Sequence, residues 1–198
     1  MEDNIFENIA KKYDNPQRIE LANIIANRVK EELADAGDKT LIDYGSGTGL
    51  VGLQLAGLVE SATLIDAAEN MVAIINEKLA SHPLQNVSAL VSDFTADTIP
   101  VKADIILVSL VLLHIPDTKI ILEQLYKTLN ENGKLIIVDF DKNPQISHPK
   151  VHNGFVAAEL EELLAQTGFK NATIEVFHHG NNLFMNQDAS LFIATSSK

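Results

Sequence analysis

The sequence contains no cysteine. That removes disulfides, thiolate metal sites and a thiol nucleophile from consideration. Positive charge is scarce: 15 lysines and arginines stand against 27 acidic residues, and the only arginines are Arg18 and Arg28. A surface that tracks a phosphate backbone needs a basic stripe, so the net charge of -12 argues against a nucleic-acid partner. Long apolar runs are missing too. The longest, DIILVSLVLLHI at 104–115, falls short of the roughly 20 residues that span a bilayer, and no membrane partner is expected. The opening MEDNIFENIAKKYDN is polar and holds no signal-peptide core. The expected location is the cytoplasm, where the sequons at Asn86 and Asn171 have no meaning.

What is present is an ordinary globular composition, 198 residues with a 46% apolar share, enough for one domain with a real core. Residues 1–14 read as a polar arm. Asn15-Pro16 then opens a helical pattern, with Ile19, Leu21, Ala22, Ile25, Val29 and Leu33 at helical spacing before Gly37. Strands and helices alternate from there. TLIDY, ATLID, VSALV, DIILVSLVLL and KLIIVDF read as strands. The intervening helices are residues 48–58, Glu69 to about Ala80, and TKIILEQLYKTL opened by Asp117. Asn132-Gly133 is a turn signal. VAAELEELLAQTG is a helix closed by Gly168, and ATIEVFH and ASLFIATS are two final strands, expected as antiparallel neighbours. Such alternation predicts an α/β fold, a doubly wound, mostly parallel sheet with helices on both faces. Ligands then lie outside the carboxyl ends of the strands, here just after Tyr44, Ile65, Val91, Leu110 and Phe140.

Two glycine patterns overlap in TLIDYGSGTGLVGLQLAG. Gly47, Gly49 and Gly52 spell the dinucleotide fingerprint G-x-G-x-x-G. Asp43, Gly45, Gly47 and Gly49 spell D-x-G-x-G-x-G. Spacing separates the two. Asp66, the acid at the end of the second strand, suits ribose hydroxyls, and in the dinucleotide fold that acid follows the motif by about 20 residues. It lies only 14 residues beyond Gly52 but 17 beyond Gly49, and only the longer gap holds a helix, a turn and a strand. Charge agrees with spacing. Asp43 would set a carboxylate near two phosphates, whereas the ammonium of an aminoacyl cofactor wants one. No lysine or arginine occurs between Lys39 and Lys78, and the pattern G-x-x-x-x-G-K-[ST] is absent. The frame with Asp43 is therefore preferred, and Gly52 becomes a small helix residue packed against the sheet.

These residues resemble the class I S-adenosylmethionine-dependent methyltransferases, over a span from about Phe6 to the C-terminus. LIDYGSGTG is similar to that family's first motif, ATLIDAAENMV to its second, VSDFTADTIP to its third, and ADIILVSLVLLHIPD to its fourth strand and loop. The resemblance implies seven strands in the order 3-2-1-4-5-7-6, with the last antiparallel, in one Rossmann-like domain over 1–198 whose residues 1–35 form a helical arm or lid. It implies S-adenosyl-L-methionine as cofactor. Asp43, Gly45, Ser46 and Gly47 would face its methionine end, Asp66 and Ala67 the ribose, Met71, Asp93 and Phe94 the adenine, and Ser109 and Val111 again the methionine part. The N/D-P-P-Y/F motif of DNA-methylating enzymes is replaced by SLVLLH, and no long basic insertion appears. Both departures imply a small-molecule acceptor.

Methyl transfer needs a base only when the acceptor must lose a proton. His114, after the central strand on the ligand side, is the first candidate; it serves equally as a polar cap of that strand. His148 and His152 lie in DKNPQISHPKVHNGF, either on the acceptor's rim or in a solvated loop. Their spacing would suit a metal pair, but no third ligand accompanies them, and no metal is expected. Tyr13, on the arm, either closes over the cofactor or anchors the arm to the core. Asp139 ends the fifth strand, where an acid either faces the acceptor or caps the strand in solvent. Two other functions stay open. An NAD-dependent oxidoreductase would need features such as a Tyr-x-x-x-Lys pair, yet four residues after Tyr126 stands Asn130. A cofactor-binding module without catalysis would carry the same glycine loop.

Overall fold

In the computed structural model, residues 10–93, 101–149 and 151–198 are described. Phe94, expected at the adenine edge, lies outside them. The chain divides into two compact units, Met1–Asp97 and Thr98–Lys198.

The first unit begins with a single helical turn, Ala10–Lys12, and helix α1, Pro16–Glu32. Asn15 caps α1 by accepting the Arg18 N–H at 3.0 Å, and Pro16 fills a first-turn position that has no N–H to satisfy. Ala22, Ile25, Ala26 and Val29 form its buried stripe, while Ile19, part of the apolar periodicity, remains exposed. Strands β1 (Thr40–Tyr44), β2 (Ser61–Asp66) and β3 (Val87–Val91) pair in parallel, with Tyr44 opposite Ile65 and Asp66 opposite Val91. The helix expected at 48–58 is shorter. Helix α2 covers only Gly52–Leu55, followed by a tighter turn at Ala56–Leu58, because left-handed glycines hold the chain out of helix as far as Gly49. Helix α3, Glu69–Ser81, buries Met71, Val72 and Ile75.

The second unit holds β4 (Ala103–Ser109), α4 (Thr118–Thr128), β5 (Leu129–Phe140), α5 (Ala157–Thr167), β6 (Lys170–Phe184) and β7 (Gln187–Ser197). Strands β4 and β5 are parallel, and β7 runs antiparallel to both β5 and β6. Asp117 caps α4 through the N–H groups of Lys119 and Ile120. Gly168, at φ 107°, closes α5 by donating to the carbonyls of Ala165 and Leu164.

Three expectations shift here. β4 ends at Ser109 rather than running through Leu113. Asn132-Gly133 is not a turn between elements but an irregularity inside β5, with Asn132 at φ 62° and a break in register between Ala103 and Ile105 of the partner strand. The final strands are longer than expected and meet at Met185-Asn186, both at positive φ. The order of strands in the seven-stranded sheet is β3-β2-β1-β4-β5-β7-β6, as the sequence implied.

Candidate functional site

The first unit carries the glycine loop. Gly45, Gly47 and Gly49 stand at φ 70°, 55° and 80°, a region other residues enter only with strain. This winding turns backbone N–H groups toward the end of β2. Those of Gly45 and Ser46 donate to the Ile65 carbonyl at 2.8 and 2.9 Å. The Gly47 N–H donates to one Asp66 oxygen at 2.8 Å, and the Ala68 N–H donates to the other at 2.9 Å. Asp66 and Gly47 are thus locked together across the loop.

Asp43, at 0% exposure, lies behind it. Neither of its carboxylate oxygens has a hydrogen-bond partner among the described residues. Desolvation raises its pKa to about 7; the Gly52 N–H, which leans toward the carboxylate without completing a bond, works the other way, and Asp66 adds repulsion. Gly52 is glycine for the same reason. A Cβ there would collide with the Asp43 carboxylate and come within 3.1 Å of Leu64. The third glycine of the apparent dinucleotide fingerprint therefore makes room for an acid.

A buried acid without a donor is uncommon and unfavourable. The remedy is a donor from outside the chain, and an ammonium group on an aminoacyl ligand supplies three. The residues present fit S-adenosylmethionine on this ground.

The arm is laid over the loop. A Cβ at Gly47 would sit 3.6 Å from the Tyr13 ring, and the Arg18 guanidinium lies 4.0 Å above the centre of the same ring. Burial raises the Tyr13 hydroxyl pKa, against an opposing pull from Arg18, so the phenol stays protonated and suits a cover better than a base. Ala10 and Tyr13 pack on Ala68 and Met71, both fully buried. The Met71 face assigned to adenine is therefore covered by the arm in this structure.

Asp14 and Lys78 belong to this site and carried no signal in the sequence. Lys78 pairs with Asp14 at 2.7 Å and donates to the Thr48 carbonyl at 2.6 Å, while the Thr48 hydroxyl donates to Asp14. Asp93 is half-buried just after β3, and Ser109 is half-buried at the end of β4.

The second unit carries the candidate histidines His114, His148 and His152. A cleft of about 250 Å³ is lined by Leu113, His114, Pro116, Pro149, Val151 and His152. It is built on the segments after β4 and β5. Leu110 follows β4 at φ 55°, and Leu112–His114 makes one tight turn. His114 keeps an exposed edge, yet desolvation of its ring, helped by His148, lowers its pKa. His152 is held in place: its backbone N–H donates to the Leu113 carbonyl at 2.8 Å, and its Nε2 lies 2.9 Å from the Ile115 carbonyl. A carbonyl only accepts, so Nε2 is the donor in this contact. Asp139 is not solvated. At 0% exposure it accepts the N–H groups of Leu113 at 3.2 Å and Phe140 at 2.8 Å. Burial nonetheless raises its pKa to about 7, against the lowering by Phe140, Leu113 and Leu112 N–H groups. Among the described residues no group of three His, Asp or Glu converges on a metal-sized point, and no helix is long and apolar enough to cross a membrane.

Strand order and glycine loop together are those of an open α/β fold that takes a ligand at the carboxyl ends of its strands. Residues 35–188 match a family model described as a methyltransferase domain, and the chain belongs to the class I S-adenosylmethionine-dependent methyltransferases. An uncharacterized methyltransferase of Schizosaccharomyces pombe is 21% identical, in an alignment covering 91% of this chain and 75% of that one. The crystal structure of a SAM-dependent methyltransferase from Aquifex aeolicus superimposes with a TM-score of 0.72 at 23% identity, covering 96% of this chain and 97% of that one. Phosphoethanolamine N-methyltransferase 2 of Haemonchus contortus, solved with S-adenosyl-L-methionine, gives a TM-score of 0.72 at 14% identity; the match covers 87% of this chain but only 52% of that one.

Proposed function

We propose that this protein transfers a methyl group from S-adenosylmethionine to a small molecule held in the His114 cleft. When bound, the cofactor supplies a methyl group on a sulfonium sulfur, open to in-line displacement by an acceptor lone pair. The observation that carries this reading is the buried, unpartnered Asp43 carboxylate beside three left-handed glycines. Asp43 would hold the cofactor's ammonium group, Asp66 its ribose hydroxyls, and Tyr13 would cover the loop and exclude water. His114, with its pKa lowered by burial, is neutral at pH 7 and would take the proton of an acceptor that loses one, its exposed edge passing that proton to solvent. The small-molecule reading is supported by the cleft's size, about 250 Å³, room for a compound rather than a polymer segment, and by the small acceptor in the name of the Haemonchus enzyme. We read residues 1–35 as a lid, and the cytoplasm as the place of work.

Thermal shift tests the cofactor. S-adenosylhomocysteine at a hundredfold excess over its Kd should add about 2.7 kcal/mol of stability, NAD should add none, and Asp66→Ala should abolish the shift. The reverse ligand preference would sink the reading in favour of an oxidoreductase. A screen of small acceptors, read by S-adenosylhomocysteine formation, separates an enzyme from a binding module, which would bind the cofactor and turn nothing over.

A further inference from the structure

Asp139 is a buried acid to which the transfer chemistry assigns no task. It ends β5, and both of its oxygens are engaged by backbone N–H groups, those of Leu113 and Phe140. The same Leu113 peptide is gripped at its other end, where its carbonyl accepts the His152 N–H at 2.8 Å. One residue beyond His114, the Ile115 carbonyl accepts from the His152 ring. The turn so held begins just past Leu110, whose φ of 55° is a strained conformation for leucine, and such strain persists only where surrounding structure over-determines it.

We propose that Asp139 is a positioning residue: its carboxylate holds the Leu112–His114 turn and so sets where the His114 imidazole stands in the cleft. His152 is the second tether of the same turn. This inference rests on the reading of His114 as the proton acceptor. It also explains why an ionisable group is kept at a position of 0% exposure, where an apolar side chain would usually be the cheaper choice. Two N–H groups are met by the two oxygens of one short side chain, which a carboxyl group supplies. Asparagine has the same shape but turns an NH₂ toward one of the donors.

The test is imidazole NMR on the whole chain, with the His114 signal identified by its loss in His114→Gln. The groups facing His114 are His148 on the loop after β5, His152 across the cleft, and Asp139 through the turn's backbone. In Asp139→Asn the His114 midpoint should rise toward the ordinary histidine range as the ring gains water, and the Leu113 amide should exchange about tenfold faster. The thermal shift with S-adenosylhomocysteine should persist, reporting that the variant is folded. A folded Asp139→Asn with the wild-type His114 midpoint overturns the proposal. If that variant does not fold, His152→Ala is read in the same way, and an unmoved His114 midpoint there overturns it equally. No acceptor is needed, so a failure here is distinct from a failure of His114→Gln to reduce methyl transfer.

Discussion

Asp43 joins two demands in one side chain. It is buried behind the glycine loop, and the role proposed for it, holding an ammonium group, needs it charged. Its pKa of about 7 records the conflict. Asp43→Asn removes the charge that burial opposes. We expect this variant to be more stable than the parent at pH 8, by urea denaturation, and to lose its thermal shift with S-adenosylhomocysteine; retention of the shift would remove Asp43 from the cofactor site. His114 lies at the other end of the chemistry. His114→Gln should lower turnover of a hydroxyl acceptor by about 10²–10⁴-fold while leaving cofactor affinity intact, because the acids proposed to hold the cofactor, Asp43 and Asp66, lie on β1 and β2. In the parent, the lowered His114 pKa keeps the ring neutral as the pH falls through the usual histidine range. The acid limb of the rate profile should therefore lie below pH 6.5, and a limb above that value would assign the proton transfer to another group.

At the scale of elements, the arm and the final hairpin decide what can move. The arm is tethered by Lys78 to Asp14 and Thr48, with both charged side chains about a third exposed. Such a pair contributes about 0.2–1 kcal/mol and is screened by salt. Lys78→Ala should therefore lower global stability by less than ~1 kcal/mol but speed amide exchange at Tyr13, a combination expected of a lid and not of a core element. The β6–β7 hairpin turns at Met185-Asn186, with φ of 51° and 61°. Two-residue turns with both residues left-handed favour Asn-Gly, and Met185 is 44% exposed, so little packing is lost on replacing it. The pair Met185→Asn, Asn186→Gly should raise the unfolding free energy by about 1 kcal/mol, the order of the strain of a non-glycine residue at positive φ; a loss would mean that this turn is not strained.

At the scale of the whole molecule, pH couples to folding through the two buried acids. Asp43 and Asp139 each hold a proton in the folded state up to about pH 7, whereas unfolded they release it near pH 4. Between those values the folded state binds more protons, so stability falls as pH rises. Their stabilising contribution is complete below the unfolded value and lost as pH climbs through 7, up to roughly 4 kcal/mol for each. Chemical denaturation across pH 5 to 8 should show this slope, and the double variant Asp43→Asn, Asp139→Asn should flatten it. An unchanged slope in the double variant would place the titration elsewhere. With a net charge of -12, self-repulsion acts in the same direction and is weakened by salt; the contribution of the buried acids is not.

The alternation of strands and helices was legible in the sequence, and the order of strands followed from the motifs' resemblance to a known family. The alternation rests on local and periodic properties: the spacing of apolar residues and the turn chemistry of glycine. The sequence marks Gly52 as a small helix residue packed against the sheet, but neither the helix start there nor the Asp43 carboxylate it makes room for was legible. Tertiary structure alone decided what depends on residues distant in sequence. Lys78 reaches Thr48 from 30 positions away, Asp139 takes the Leu113 N–H from 26, and His152 meets the Ile115 carbonyl from 37. Nothing at either end of these pairs announces the other. A hydrogen bond is selected by where folding brings its partners, and that is set by the packing of the whole core rather than by any local pattern.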